Sequence, residues 1–179
     1  RYRAHTVIEK TCANSLRVPF VNAVLPEARY IFIYRDGLDA VASTLKRWKA
    51  ELDIPYVVRK ARFVPVSDLP FYAVRYFWNR IYRLISTEKR LAFWGPRFKG
   101  FDKALTRCSL PEICALQWQR CVELADETFS RMPANKVARV SYESFVADPI
   151  GELERLATEL KLLLNQSLIA PSVADVNTS

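Results

Sequence analysis

Two polar side chains, Arg35 just before a predicted helix and Ser43 two turns into it, together have the chemistry of a phosphate site. Residues 29–34 (RYIFIY) form an apolar, β-branched and aromatic run, which predicts a strand buried on both faces. Arg35 follows this run directly, and in an open α/β sheet ligands bind at the carboxyl ends of strands. A guanidinium fork and a hydroxyl can both donate hydrogen bonds to phosphate oxygens. The spacing therefore indicates an anion-binding site between this strand and the helix after it.

The helix that carries Ser43 is predicted by its apolar periodicity. Its start has the residues expected there, because Gly37 allows the chain to turn, Asp36 can cap the first turn and Asp39 adds favourable negative charge. We expect it to continue to about Lys49. Its apolar positions recur at intervals of three and four residues: Leu38, Val41, Leu45 and Trp48.

Further strands and helices complete an α/β pattern. Residues 5–9 (HTVIE) predict a short strand that ends at Lys10, and residues 136–141 (KVARVS) predict another that ends before Tyr142. Strands joined through helices form parallel crossover units. Because half of the 179 residues are hydrophobic, we expect one globular α/β domain over residues 1–179, with a central parallel sheet flanked by helices.

The remaining helices are marked by caps and prolines. We expect a short helix with Pro19 in its first turn, a helix over residues 67–89, one that opens at a capping box of Ser109 and Glu112 and runs to about residue 131, and a last one after Asp148. The apolar face of the 67–89 helix is bordered by arginines, so it is either a solvated helix with long basic stems or a wall of a site for an acidic acceptor.

Residues 94–101 (WGPRFKGF) alternate aromatic and cationic side chains in a segment broken by Gly and Pro. Such a loop can stack on sugar rings or nucleobases. It can equally be pinned to the body of the protein by its aromatic side chains. The sequence leaves both alternatives open.

The formal charge of +8 favours anionic partners such as nucleotides, acidic glycans, nucleic acid or membrane surfaces. The four cysteines lack zinc-site spacing, and we expect buried free thiols, which favours a reducing compartment such as the cytoplasm. No stretch is apolar enough to span a membrane, and no signal peptide is visible. For a membrane-anchored eukaryotic protein, the Golgi lumen is the alternative.

Three segments in the same order resemble the sulfotransferases that use 3′-phosphoadenosine 5′-phosphosulfate (PAPS). The spacing Arg35-Asp36-x6-Ser43 resembles their 3′-phosphate motif. Residues 9–15 (EKTCANS) resemble their EKTP-x-N-S segment, and residues 140–149 (VSYESFVADP) resemble their YEDL-x-x-DP segment. The carbohydrate and bacterial branches have the more similar EKT form.

The resemblance implies a P-loop NTPase-like sulfotransferase fold and a role for each matching residue. Arg35 and Ser43 would bind the 3′-phosphate, and Tyr142 would contact the adenosine part. Lys10 would lie near the bridging oxygen, where a cation stabilises the departing phosphate. Glu143 would support the fold through hydrogen bonds. PAPS would be the co-substrate, the acceptor would be a carbohydrate or small molecule, and neither a metal nor nucleic acid is expected.

The sequence departs from the family in two places. Cys12 stands where the phenol- and steroid-accepting branch has a histidine base, and none of the four glycines lies in a loop resembling G-x-x-R-S-G-T-T, which binds the 5′-phosphosulfate. We therefore expect a partial domain that lacks this loop and is inactive alone. A P-loop kinase or other nucleotide-binding protein, and a non-catalytic basic binder of anionic glycan or nucleic acid, remain the alternatives.

Overall fold

The computed structural model describes residues 6–49, 69–85, 91, 93–162, 169 and 173. The described chain is mostly helical, with a two-stranded parallel sheet, so the mixed α/β class is confirmed. In chain order, it contains a 3-10 turn (Cys12–Leu16), α1 (Val18–Val24), β1 (Tyr30–Tyr34), α2 (Gly37–Lys49), α3 (Leu69–Ile85), α4 (Phe101–Arg107), α5 (Leu110–Phe129), a second 3-10 turn (Ala134–Lys136), β2 (Val137–Ser141), α6 (Tyr142–Ala147) and α7 (Pro149–Glu159).

The predicted helix caps form. The backbone N–H groups of Leu38 and Asp39 donate to Oδ1 of Asp36 at 2.9 and 3.2 Å, which satisfies donors that α2 leaves unpaired. At the start of α5, the backbone N–H of Ser109 donates to Oε2 of Glu112 at 2.7 Å, as a capping box requires. The side chain of Asp148 caps α7 by accepting a hydrogen bond from the backbone N–H of Gly151 at 3.0 Å. The predicted α2, α5 and α7 are therefore confirmed, whereas the short α6 was not predicted.

The two strands run parallel, with Tyr30 paired to Val137 and Tyr34 paired to Ser141. Both strands thus end at the same edge of the sheet. The predicted strand at residues 5–9 is wrong for the four residues that the structure describes, because 6–9 are exposed and irregular. That segment has no hydrogen-bonded neighbour in the described sheet, and a strand needs one. His5 lies outside the described residues.

Burial of β1 also differs from the prediction. Phe32 is buried, but Ile31, Ile33 and Tyr34 are exposed, so the strand is covered on one face rather than two. The buried side of Phe32 faces Phe129 of α5, with ring centroids 5.4 Å apart. A sheet of two strands and one covering helix layer is enough to bury one row of side chains.

The core forms where α5 packs against α2, α1 and the first 3-10 turn. Trp48 at the end of α2 is fully buried, and its Nε1 donates to Oε1 of the buried Gln117 at 3.2 Å. The Nε2 of Gln117 donates to the backbone oxygens of Trp94 and Pro96 at 2.8 and 3.1 Å. This one amide thereby fixes the 94–96 loop to α2 and α5.

Helix α3 confirms the predicted helix where it is described, within residues 69–85. Its apolar side chains are more than half exposed: Phe71, Val74, Phe77, Trp78, Ile81, Leu84 and Ile85. Within the described part of the chain, no helix is long and apolar enough to cross a membrane.

Candidate functional site

The site starts from the shared edge of the sheet. Because Tyr34 pairs with Ser141, the residues that follow them, Arg35 and Tyr142, leave the sheet side by side. The guanidinium carbon of Arg35 lies 4.5 Å from the centroid of the Tyr142 ring. A cation at this distance is attracted by the negative face of the ring. The parallel register therefore brings together two of the predicted site residues that are 107 positions apart in the chain.

Arg35 is half-buried and incompletely paired. Its Nη2 lies 3.3 Å from Oδ2 of Asp39, one turn along the chain. Its Nε is buried and has no hydrogen-bond partner among the described residues. Such a buried donor costs free energy unless a further acceptor reaches it. The guanidinium is therefore held in position by Tyr142 and Asp39, and its buried Nε has no acceptor among the described residues.

Helix α5 fixes the backbone at this point. The Nε1 of Trp118 donates to the main-chain oxygen of Arg35 at 3.2 Å. The ring of Trp118 lies against Gly37, so closely that a Cβ there would come within 3.0 Å of it. Gly37 thus favours the close approach of α2 to α5, since a larger residue would push the Trp118 ring away by a few tenths of an ångström.

Ser43 is exposed and lies on α2, one turn beyond Asp39. Residues four apart share a face of a helix, so Asp39 and Ser43 lie on one side of α2. The opposite side carries Val41, Leu45 and Trp48, which pack into the core. Arg35, which precedes the helix, contacts Asp39, and Ser43 lies one turn further along the same face of α2.

Glu143 joins the two strand ends. Its Oε1 accepts a hydrogen bond of 3.1 Å from the backbone N–H of Asp36. Hydrogen bonds from the backbone N–H groups of Glu143 itself and of Asp36 lower the pKa of the Glu143 carboxyl, and the charge of Arg35 lowers it a little further. This geometry agrees with the expected role of Glu143 in supporting the fold.

The segment with Lys10 is held by its own turn. The carboxylate of Glu9 accepts hydrogen bonds from Oγ1 of Thr11, at 2.5 Å, and from Nδ2 of Asn14. Lys10 is exposed, and it makes no hydrogen bond with Arg35, Ser43 or Tyr142, all of which the structure describes. The structure therefore brings Arg35 and Tyr142 together, whereas Ser43 lies two turns along α2 and Lys10 makes no hydrogen bond with any of the three among the described residues.

The Lys10 segment nevertheless lies near the site through α5. The 3-10 turn after Lys10 packs on α5, and Cys12 interacts electrostatically with Cys121. Burial, with a smaller contribution from Cys12, raises the pKa of the Cys121 thiol to about 11. Cys121 is one helical turn beyond Trp118, which contacts Arg35. Neighbouring turns of one helix thus support both segments.

Two residues of the site, Asp39 and Trp118, were not predicted as site residues. For Asp39, the signal was its negative charge in the first turn of α2, close in the chain to Arg35. For Trp118, the sequence offers no signal beyond its place in the apolar stripe of α5. Its indole N–H finds a backbone oxygen from a distant segment, and only the packing of α2 on α5 determines that contact.

The side chains at the site are a guanidinium, a tyrosine ring and two carboxylates. Among the residues that the structure describes, no group of three or more His, Cys, Asp or Glu side chains could hold a metal ion. All four cysteines are free thiols, but only Cys114 is buried as expected: Cys108 and Cys121 are partly buried and Cys12 is exposed. Comparisons with protein-family models, with curated proteins and with solved structures found no match. Function therefore has to be argued from the site itself.

Proposed function

We propose that this chain is part of a PAPS-dependent sulfotransferase with a P-loop NTPase-like fold. The whole enzyme transfers a sulfuryl group from PAPS to a hydroxyl or amine of a carbohydrate or small-molecule acceptor. The observation that carries the proposal is the guanidinium of Arg35, positioned at the end of β1 against Tyr142, with a buried Nε that has no hydrogen-bond partner in the described part of the chain. In this proposal Arg35 and Ser43 bind the 3′-phosphate of the nucleotide.

The residues fit a phosphate on one condition. A phosphate offers several acceptor oxygens, and a guanidinium donates through more than one nitrogen at once. Nε is buried and has no partner among the described residues, and Nη2 is engaged by Asp39 at 3.3 Å. A phosphate between Arg35 and Ser43 would have to replace that carboxylate or share the guanidinium with it. This ion pair is partly exposed, at 36% and 59% for the two side chains, so it is weak enough to be exchanged.

The other matching residues take supporting roles. The ring of Tyr142 lies beside the guanidinium and is suited to contact the adenosine part of the same nucleotide. Sulfuryl transfer, by analogy with phosphoryl transfer, depends on in-line placement and on charge stabilisation at the leaving phosphate. The ammonium of Lys10 would supply that charge. Glu9 is a poor candidate for the base, because Thr11 and Asn14 already donate to its carboxylate.

Isothermal titration with 3′-phosphoadenosine 5′-phosphate (PAP) tests the phosphate site. We expect Arg35→Ala to weaken binding by about 1.5–3 kcal/mol, the loss expected for a hydrogen bond to a charged group. Arg120→Ala is the matched control, because Arg120 is an exposed arginine outside the site. Like Arg35, it pairs with a nearby carboxylate, that of Glu123 at 3.1 Å. Equal affinities of the wild type and Arg35→Ala would contradict the site assignment.

Asp39→Asn tests the competition between carboxylate and phosphate. Removing the carboxylate frees Nη2 and removes a negative charge next to the ligand, so PAP should bind more tightly, by about 0.2–1 kcal/mol. The same titration with ATP separates the proposal from a kinase or other nucleotide-binding protein, which would prefer ATP. A steep salt dependence without nucleotide preference would instead indicate a basic binder of glycan or nucleic acid.

A further inference from the structure

Helix α3 presents an apolar face to solvent. Its hydrophobic residues recur at intervals of three and four, which places them on one side of the helix. Every side chain of this apolar face is more than half exposed: Phe71, Val74, Trp78, Ile81 and Ile85, with Leu84 beside them. A contiguous exposed apolar surface of this kind marks a site where a protein or a membrane binds.

The other segment that alternates aromatic and basic residues is accounted for by the core. Trp94, Phe98 and Phe101 pack beside Trp48, so the 94–101 loop is pinned to the body of the protein, as one of its two alternatives predicted. Helix α3 differs, because its aromatic and aliphatic side chains remain exposed. Its apolar face therefore calls for a different explanation from that of the loop.

The charge of α3 is of one sign. Its 17 residues include Arg75, Arg80 and Arg83 but no aspartate or glutamate. Whatever covers the apolar face has to tolerate these cations, and an anionic partner is favoured by them. A second copy of α3 is disfavoured, because two such helices would bring like charges together.

We propose that α3 lies in the surface of a membrane that contains anionic phospholipids, with its apolar face among the lipids. A helix that combines arginines with a face of Trp, Phe and Leu is typical of helices that lie in this plane. Six of its 17 residues are aromatic, and aromatic residues are enriched at the level of the lipid head groups. The helix is about 25 Å long, so the whole apolar face can insert at one depth.

Vesicle binding tests the inference in the absence of nucleotide. The full chain is sedimented with vesicles of phosphatidylcholine that contain about 30% phosphatidylserine, and with vesicles of phosphatidylcholine alone. We expect stronger binding to the anionic vesicles, and we expect Arg83→Gln to weaken it about fivefold, because each basic residue near such a surface adds attraction. Arg120→Gln is the control, since Arg120 is an exposed arginine of α5, and it should retain binding within about twofold.

Leu84→Ala tests the insertion of apolar side chains. Leu84 is 82% exposed, so the variant is expected to fold, which circular dichroism verifies. Loss of methylene groups that would enter the lipid should weaken vesicle binding about tenfold. Leu38→Ala is the matched control, because Leu38 is a leucine of α2 that is 83% exposed. Its vesicle binding should stay within about twofold of the wild type.

Trp78 reports the position of α3 directly. Transfer of its exposed indole from water to lipid should shift its fluorescence emission to shorter wavelength when anionic vesicles are added. The chain has four tryptophans, so Trp78→Phe assigns the signal: this variant should still bind the vesicles but lose the shift.

The outcomes that overturn the inference are distinct from a failure of the proposed function. Equal effects of Leu84→Ala and Leu38→Ala, or an emission of Trp78 that vesicles leave unchanged, would mean that the net charge of +8 alone attracts the chain. Absence of binding to the anionic vesicles would also overturn it. A dimer that light scattering detects without vesicles, and that Leu84→Ala dissociates, would mean that a second copy covers the apolar face. None of these results depends on whether Arg35→Ala changes PAP binding.

Discussion

The two ends of α2 differ in how they are held. At its end, Trp48 is 0% exposed and its indole is hydrogen-bonded to Gln117, which is also buried. At its start, the Arg35 side chain is 36% exposed, stacks on an exposed tyrosine and pairs with an exposed carboxylate. One end is fixed by burial, whereas the other is fixed by contacts that water can replace.

This difference separates stability from binding along a single helix. Contacts between exposed charges contribute little to folding, so Arg35 can change partners without unfolding the protein. Buried aromatic side chains contribute much more and have one arrangement. We therefore expect substitutions at the Trp48 end to change the free energy of unfolding, and substitutions at the Arg35 end to change ligand binding.

Trp48→Ala should have the largest effect of the substitutions considered. The change removes a fully buried indole and leaves a cavity between α2, α4 and α5, so we expect a loss of about 3–5 kcal/mol in the free energy of unfolding. Urea denaturation followed by circular dichroism measures it. Leu38→Ala is the control on the same helix, because Leu38 is 83% exposed, and its effect should stay within about 0.5 kcal/mol. Similar losses for the two variants would contradict the contrast between the ends.

Gln117→Leu tests the polar part of the buried end. The leucine keeps an apolar side chain of similar size but leaves the indole N–H of Trp48 and two backbone oxygens, those of Trp94 and Pro96, without this partner. We expect a cost of about 1–3 kcal/mol in the free energy of unfolding. Gln119→Leu, at an exposed position of the same helix, should cost far less. Unchanged stability of Gln117→Leu would show that the amide is dispensable.

The sequence predicted the parts of this molecule that depend on local chemistry. Caps at Asp36, Ser109 and Asp148 are set by side chains within three residues of the groups they satisfy, so their helices could be predicted from neighbouring residues. The end of β2 at Ser141 was also predicted, because the alternation of apolar and polar residues in KVARVS ends there.

What depends on distant partners was predicted less well. Residues 6–9 have a strand-like pattern, yet no described strand pairs with them. The outer face of β1 has strand-forming residues, but Ile31 and Ile33 are exposed because no described element covers them. At the site, the stacking of Arg35 on Tyr142 follows from the register of two strands, which the motifs suggested only through their order.

Glu143→Gln tests the exposed end and should have the smallest effect on stability. The folded-state pKa of Glu143 is lowered, chiefly by backbone hydrogen bonds, so the carboxylate contributes stability above the ordinary glutamate pKa of about 4.3. That contribution is lost as the pH falls through the lowered value. Glutamine can still accept the hydrogen bond from Asp36 but carries no charge. Unfolding measured between about pH 6 and pH 3 should therefore show a shallower acid dependence in the variant than in the wild type.

Glu112→Gln is the control for Glu143→Gln. It removes another carboxylate whose pKa is lowered, but one whose pKa Arg35 does not influence. Hydrogen bonds from Ser109 lower the pKa of the Glu112 carboxyl as well, so this variant should also lose acid dependence. It lies in the capping box of α5, whereas Glu143 interacts electrostatically with Arg35. Removing the charge of Glu143 should therefore raise the affinity for PAP slightly, as Asp39→Asn does, while Glu112→Gln leaves it unchanged. If both glutamine variants changed PAP binding alike, the exposed end of α2 would not act as a separate binding site.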